Sequence, residues 1–348
     1  MVHYTNKQVL FLNYPTGFPV VGEHLGLQTT EIDPVLEDND ILLRNLYVSA
    51  DPYLRGRMRN VHDSYVPSFV LGKPFSSGGV SEVIQSRNPK FPVGAIVVGE
   101  TNWEEYSHVT GARVAALGLQ VVEGGARDSK IPLRYWVGAL GMPSKTAYYS
   151  LKIIGQPKKG ETIYISAASG AVGQIVGQLA RLQGLRVIGS AGSDEKVDFL
   201  LNELKFDAAF NYKKGNILEN LRRYAPKGID IYFDNVGGEQ LEAALEVMNL
   251  YGRVISCGAI SVYNGQVPYG VRNLHHLIAK RITIRGFIVS DFEKQESANF
   301  RREVSEYFLN GDIVYKEDIV DLDDAPNAFV GLLKGERFGK VVIHIADP

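Results

Sequence analysis

The sequence predicts an α/β protein in which a doubly wound parallel sheet is inserted in a β-rich domain. Three observations carry this. Short apolar runs between turns fill the first third of the chain, and strand-like and helix-like runs alternate through the middle. A glycine turn joins a strand to a helix in Tyr164–Gly184, "YISAASGAVGQIVGQLARLQG". Strand–helix alternation of this kind is how a parallel sheet covers both its faces.

The chain has 348 residues, room for two domains at ~100–200 residues each. Hydrophobic residues make up 45% and net charge is −2, which gives no electrostatic footprint for nucleic acid or an anionic membrane. The single cysteine, Cys257, excludes an internal disulfide and points to a reducing compartment. Polar residues interrupt every apolar run of "MVHYTNKQVLFLNYP", unlike a secretory leader. No window approaches the ~20 apolar residues of a membrane helix. A cytoplasmic protein is expected.

From Lys7 to Arg127, "VLFLNY", "DILLRNLYVSA", "GGVSEVI" and "GAIVVGE" read as strands between turns. From Ile131 to Asp291 the strand-like runs are "TIYISAA", "LRVIGSAG", "AAFNYK", "IDIYFDNV", "RVISCGAI" and "ITIRGFIV". Helical stretches such as Glu195–Leu204 and Glu239–Met248 separate most of them. The tail has a helix-like "NFRREVSEYFLNG" and strand-like runs at Asp318–Leu322 and Lys340–Ile345. It is too short for a third domain and is expected to return to the first. The expected limits are 1–130 for the β-rich domain, 131–298 for the parallel-sheet domain and 299–348 for the tail.

"TIYIS" is β-branched and aromatic, as a buried parallel strand should be. Beyond the turn, Val172, Ile175, Val176, Leu179 and Leu182 form one apolar helix face, and Gly184 is placed to end the helix. Gly170 and Gly173 then sit where the strand becomes the helix. Backbone N–H groups there can approach a pyrophosphate at the positive helix end. Gly177 would let the helix lie close to the sheet. In the usual G-x-G-x-x-G the first position is glycine; here Ala168 or Ser169 stands near its place. The surrounding strand and helix supply the context that a Rossmann fingerprint requires.

The next strand discriminates between cofactors. An NAD site usually places Asp or Glu at its end for the ribose 2′-hydroxyl. Here the run is "GSAGSDEK", small until Asp194 and Glu195. Lys196 could pair with a 2′-phosphate, and Tyr212 in "FNYKK" could add a hydroxyl. Alone, Lys196 would read as a solvated lysine; together with the missing carboxylate it points to NADPH.

One cysteine cannot build a four-thiolate zinc site, and the seven histidines are scattered; no metal motif is present. Tyr148-x-x-x-Lys152 has the spacing of a short-chain dehydrogenase pair but lies upstream of the glycine turn, so it reads as chance. No G-x-S-x-G supports a hydrolase. What remains is a nicotinamide and a substrate activated without metal. Hydride addition to the β-carbon of an enone spreads charge into an enolate, and a hydrogen-bond donor at the carbonyl oxygen stabilises it. A tyrosine, protonated at neutral pH, suits that role. Among 18 tyrosines most pack in cores. Tyr263 in "RVISCGAISVYNG" lies just past a strand end, where ligands of open α/β sheets bind.

Several longer motifs share one resemblance. "NLYVSADPYLRGRM" (46–58), "NWEEYS" (102–107), "GMPSKTAY" (141–148), "AASGAVGQIVGQLA" (167–180), "GIDIYFDNVGG" (228–238), "CGAISVYN" (257–264) and "GFIVSDF" (286–292) cover nearly the whole chain. They resemble the zinc-independent medium-chain dehydrogenase/reductases, and among them the NADPH-dependent 2-alkenal (double-bond) reductases and the prostaglandin reductases. The resemblance implies a GroES-like β-rich catalytic domain around the Rossmann domain. It also implies reduction of the double bond of α,β-unsaturated carbonyl substrates, no nucleic-acid or membrane partner, and a homodimer.

Position by position, it puts the pyrophosphate on Ala167, Ala168, Ser169, Gly170, Ala171, Val172 and Gly173. It puts the 2′-phosphate on Gly192, Lys196 and Tyr212. Asn235, the segment Cys257, Gly258, Ala259, Ile260, Ser261 and Tyr263, and Phe287, Ile288 and Val289 would surround ribose and nicotinamide. Tyr263 falls on the family tyrosine that assists at the substrate carbonyl. Pro52 and Tyr53 match a "DPY" that contacts cofactor or substrate. Phe75 and serines replace a more aromatic pattern, so the substrate pocket is expected to differ. Arg337 stands where relatives often show Asn near the cofactor. Quinone reduction and a non-catalytic NADPH-binding role are the alternatives.

Overall fold

Antiparallel pairing of strands shapes the first part of the chain. β1 (Tyr4–Phe11) and β2 (Leu25–Ile32) pair antiparallel from Tyr4↔Ile32 to Phe11↔Leu25. β3 (Ile41–Ser49) is buried along nearly its whole length. A one-turn helix, α1 (Leu54–Arg57), precedes β4 (Ser76–Ser86), β5 (Ile96–Asn102), β6 (Tyr106–Val109), the short α2 (Gly111–Val114) and β7 (Gln120–Val121). The computed structural model describes residues 3–122, 131–265 and 267–348. Arg127 and residue 130 of the expected domain limit lie outside them.

From α3 (Met142–Ser150) the pattern changes. β8 (Thr162–Ile165), α4 (Gly173–Leu182), β9 (Arg186–Ala191), α5 (Asp194–Asn202), β10 (Ala208–Asn211), α6 (Ile217–Tyr224), β11 (Ile229–Asp234), α7 (Gly238–Val247) and β12 (Met248–Ser256) follow in strict alternation. Then come α8 (His276–Lys280), β13 (Thr283–Gly286) and α9 (Glu293–Asn310). The chain closes with β14 (Glu317–Asp321), α10 (Ala325–Lys334) and β15 (Lys340–His344).

Among the described residues, β8 to β13 form one six-stranded sheet in the order β10-β9-β8-β11-β12-β13, with every neighbouring pair parallel. In order of appearance this is 3-2-1-4-5-6, the Rossmann arrangement, whose switch point falls between β8 and β11. The first sheet runs β14-β15-β3-β4-β5-β7, with β6 also on β3. β15 lies antiparallel to β3. Two compact units result: residues up to Gly141 with Glu317–Pro348, and Met142–Lys316. The expected limits, 130 and 298, differ from these. The 3-10 turn Leu133–Val137 packs Leu133 and Val137 with Leu46, Val80 and Val342 of the first unit. α9 belongs to the second unit, where Phe300 packs edge-on against Tyr148 and Tyr149 of α3.

Tyr148 and Lys152 serve that packing. The Tyr148 hydroxyl donates to Glu303 at 2.7 Å and Lys152 Nζ to Glu296 at 2.6 Å. Phe75 is also a core residue: it is fully buried, with Phe11, Phe69, Trp103 and Phe329 around its ring at 4.5–6.0 Å. No helix among the described residues is long and apolar enough to cross a membrane.

The helix after the glycine turn is buried on more than its apolar face. Ile175, Val176 and Leu179 are buried as expected, Leu182 is exposed, and Gln174 and Gln178 are buried as well. Each glutamine amide makes a two-way bond with the segment before β14. Gln178 pairs with the N–H and C=O of Val314 at 2.9 and 2.8 Å, and Gln174 with those of Lys316 at 2.7 and 3.1 Å.

A methyl group at Gly177 would stand 2.0 Å from the Phe206 ring, which also packs against Gly189 of β9. Gly177→Ala is therefore expected to lower stability by about 1–3 kcal/mol through overpacking, outweighing alanine's better helix propensity. Denaturant unfolding measures this, and Phe206→Leu in the same chain should recover part of the loss. Elsewhere in this unit, Glu161 accepts two bonds from Arg253, at 2.9 and 2.6 Å, and one from the Lys158 N–H. Burial works against its carboxylate, but these donors hold it below the usual range. A carboxyl with a depressed folded pKa contributes stability above its unfolded value, and that contribution fades as pH falls through the folded one. Glu161→Gln is expected to cost about 1 kcal/mol at pH 7, and unfolding curves should show the gap closing below the unfolded value of 4.5.

Candidate active site

All four residues of β8 are buried, and they feed the turn directly. Ala167 takes φ +47°, the left-handed region, and its carbonyl accepts the Gly170 N–H at 3.0 Å. Ala168 is fully buried, and its N–H donates to Ser190 O on β9 at 2.9 Å. Ala168 is not among the positive-φ residues. The place of the missing glycine therefore needs no glycine conformation, because the strain sits one residue earlier. Gly173 is required: a methyl there would lie 2.6 Å from Ala167 O and 2.7 Å from Ala168 Cα. With no side chain at 173, α4 begins against the turn; the N–H groups of Gln174, Ile175 and Val176 already bond to Gly170 O and Val172 O at 3.1 Å, so a cradle here is made by the backbone of the turn itself. Such a cradle fits a pyrophosphate.

At the end of β9, Ser190 and Ala191 are buried, and Ser193 caps α5 by accepting the Lys196 N–H at 3.3 Å. A methyl on Gly192 would meet the Tyr212 hydroxyl at 3.2 Å and Lys213 Cε at 3.5 Å. Lys213, which adjoins Tyr212 in "NYKK", thus also lies near Gly192. Asp194 is engaged: Asn211 Nδ2 donates to it at 2.8 Å and Lys214 pairs with it, which holds its carboxyl below the usual range. The acid nearest this strand end is thus already bound to an amide and a cation, in accord with a phosphate site rather than a ribose-diol site.

β11 ends in Asp234, buried beside the switch point. Its Oδ1 accepts the Gly237 N–H at 2.7 Å, the Tyr232 hydroxyl at 2.8 Å and the Val236 N–H at 3.0 Å. Burial raises its pKa against the pull of those donors. Asn235 bridges to β8: its N–H reaches Ser166 Oγ at 3.0 Å, and its side chain donates to Ser166 O at 2.8 Å. Past β12, Cys257 and Gly258 donate N–H bonds to Asp234 O at 2.9 and 3.0 Å. Burial first, then Asp234, pushes the Cys257 thiol up to about 12, so it is no thiolate nucleophile at neutral pH.

Ile260 donates its N–H to Asn235 O at 3.3 Å, and Ser261 donates its hydroxyl to Val236 O at 2.6 Å. Tyr263 is half-buried, and its Oη accepts the Ala259 N–H at 3.2 Å. Phe287, Ile288 and Val289 follow β13, half-buried, with Ile288 N–H on Asp291 at 3.0 Å. Every expected cofactor residue of this unit thus lies just beyond the carboxyl end of one of six parallel strands.

Pro52, Tyr53 and Arg337 belong to the first unit. Tyr53 opens α1, and burial followed by Asp51 raises its phenol pKa. The preceding Asp51 is tied to fully buried Lys340, whose Nζ lies 3.0 Å from Asp51 Oδ1 and 2.6 Å from Ala50 O. The Arg337 guanidinium donates twice to Asp318, at 2.7 and 3.0 Å, so its charge is already engaged within its own unit.

Known proteins match on both units. A family model described as the N-terminal domain of oxidoreductase matches residues 7–117, and one described as zinc-binding dehydrogenase matches 171–306. A zinc-type alcohol dehydrogenase-like protein of Schizosaccharomyces pombe is 49% identical over 97% of each chain. The 2-alkenal reductase (NADP(+)-dependent) of Nicotiana tabacum is 45% identical over 98% of each. The chain belongs to the medium-chain dehydrogenase/reductase family, among its double-bond-reductase-like members. The crystal structure of CurA from Vibrio vulnificus in complex with NADPH superposes with a TM-score of 0.89 at 36% identity, covering 98% of this chain and 100% of that one. A zinc site of this family does not fit the donor set here. Cys257 is the only cysteine, and no three His, Cys, Asp or Glu among the described residues are grouped to hold a metal ion.

Proposed function

We propose that this chain uses NADPH to reduce the α,β-carbon–carbon double bond of an enal or enone. The observation that carries the reading is the loop past β12. It sets a phenol donor, Tyr263, on the same rim of strand ends as the glycine turn. The tobacco relative's name and the NADPH complex of CurA support the same reaction class and cofactor.

The residues fit NADPH. Ala167–Gly173 would hold the pyrophosphate, Gly192, Lys196 and Tyr212 the 2′-phosphate, and Asn235, Cys257–Ser261 and Phe287–Val289 the ribose and nicotinamide. Pro52, Tyr53 and Arg337 are proposed contacts on resemblance, with Tyr53 also touching substrate. When bound, NADPH supplies a hydride, here to the β-carbon. Charge then moves to the carbonyl oxygen, where the Tyr263 hydroxyl donates its hydrogen bond. The Ala259 N–H on the phenol oxygen polarises that hydroxyl. The α-carbon takes its proton from Tyr263 or water.

With an aliphatic 2-alkenal, the purified protein should oxidise NADPH and yield the saturated aldehyde by mass. Tyr263→Phe should lower kcat about 10²-fold. An allylic alcohol, or tight NADPH binding without turnover, would overturn the reading. Lys196→Ala should weaken NADPH binding by about 1.5–3 kcal/mol and leave NADH little changed; equal losses would remove the phosphate assignment. A homodimer is also proposed: β13 is an edge strand whose four residues, Thr283–Gly286, are all exposed, Ile284 included. Sedimentation of the protein as a monomer at micromolar concentration would refute it.

A further inference from the structure

Beneath the rim, Ser166, Tyr232 and Asp234, none of them proposed above as a cofactor or substrate contact, share a buried set of hydrogen bonds. Tyr232, fully buried, donates to Asp234 at 2.8 Å and lies 3.1 Å from Ser166 Oγ. Three donors converge on one oxygen of Asp234, which is 2% exposed. An ionised oxygen holds such donors about twice as strongly as a neutral one. The carboxylate therefore fixes the turn of residues 234–237.

That turn in turn carries the loop of residues 257–261. Its carbonyls at 234, 235 and 236 accept the N–H groups of Cys257, Gly258, Ile260 and Ser261, and the Ser261 hydroxyl, at 2.6–3.3 Å. Tyr263 Oη is then held by the same loop, on the Ala259 N–H. The sequence of support runs Tyr232 to Asp234, to the 234–237 turn, to the loop, to Tyr263.

We propose that Asp234 is a positioning residue for Tyr263: by fixing the 234–237 turn on which the loop hangs, it sets where the catalytic hydroxyl stands. This rests on the reading of Tyr263 given above. A residue that only stabilised the sheet would weaken folding or cofactor binding. It would also lower turnover whether or not a phenol were present at 263.

A double-mutant cycle separates the two roles. Kcat for an enal and the NADPH dissociation constant, the latter from fluorescence titration, are measured for Asp234→Asn, Tyr263→Phe and the pair. Asp234→Asn should lower kcat about tenfold in the parent and less than twofold in the Tyr263→Phe background, with the dissociation constant kept within about twofold. Equal factors in both backgrounds, an unchanged kcat in the parent, or a large loss of NADPH binding would each overturn the proposal. If Tyr263→Phe alone leaves kcat unchanged, the assignment of Tyr263 itself fails, and the proposal with it. Should Asp234→Asn not fold, Tyr232→Phe removes one donor from the same oxygen. It must then show the same dependence on Tyr263, with smaller amplitude, or the proposal falls.

Discussion

Because β8 to β13 all run the same way, each of their carboxyl ends opens on one edge of the sheet. The turn after each strand must leave from that edge, and the order of the strands makes the connections diverge between β8 and β11. Ser166 and Asn235 join hands across that divergence, main chain to side chain and side chain to main chain. The glycine turn, the end of β9 and the loop past β12 therefore sit on a common rim without any one of them being near another in sequence. Strand direction is the constraint, and the placement of the glycine turn and the Tyr263 loop at the same end of the sheet follows from it.

The two units are held by different interiors. The first is built around interlocked rings, Phe75 within a shell of four others, with Trp103 donating its N–H to Ser77 at 2.8 Å so that its polar edge is satisfied. The second stacks Tyr164 on Tyr232 at 5.0 Å, and both hydroxyls end in hydrogen bonds rather than in hydrocarbon. Buried polar groups add little net stability once desolvation is counted, but each accepts few geometries. An interior of this second kind suits a unit whose function depends on fixed turn positions.

What the sequence made legible follows the same physics. Parallel strands are buried on both faces, so "TIYIS" and "IDIYFDNV" stand out as apolar runs, and their helices as spaced ones. The glycine turn and the Tyr263 loop were legible as positions past strand ends, where the structure has them. Other features had no such signal. Gln174 and Gln178 look like the wet side of an amphipathic helix, and only the segment Val314–Lys316 shows why they are buried. α10 was not foreseen, since "DAPNAFVGLLKG" falls between the two strand-like runs of the tail and was given no element of its own. "ITIRGFIV" promised a longer strand than Thr283–Gly286 because exposed edge residues and buried ones read alike in a short apolar run. Lys213 went unnoticed because only its folded proximity to Gly192 distinguishes it from a solvent-facing lysine. The ring shell around Phe75 was not legible, because a single aromatic residue carries no mark of what surrounds it.

The amide pairs of Gln174 and Gln178 bear on where the inserted module can be cut out. By secondary structure it ends at Asn310, the last residue of α9. Yet the segment from Val314 to Lys316 supplies both partners for the two side chains of α4, the helix that follows the glycine turn. An excised fragment stopping at the visible helix end would strip both amides of their partners at Val314 and Lys316, leaving Gln178 only its bond to Gln174 O at 2.9 Å. The transplantable unit is six residues longer than its last helix, and a shorter graft would carry the fingerprint without its backing.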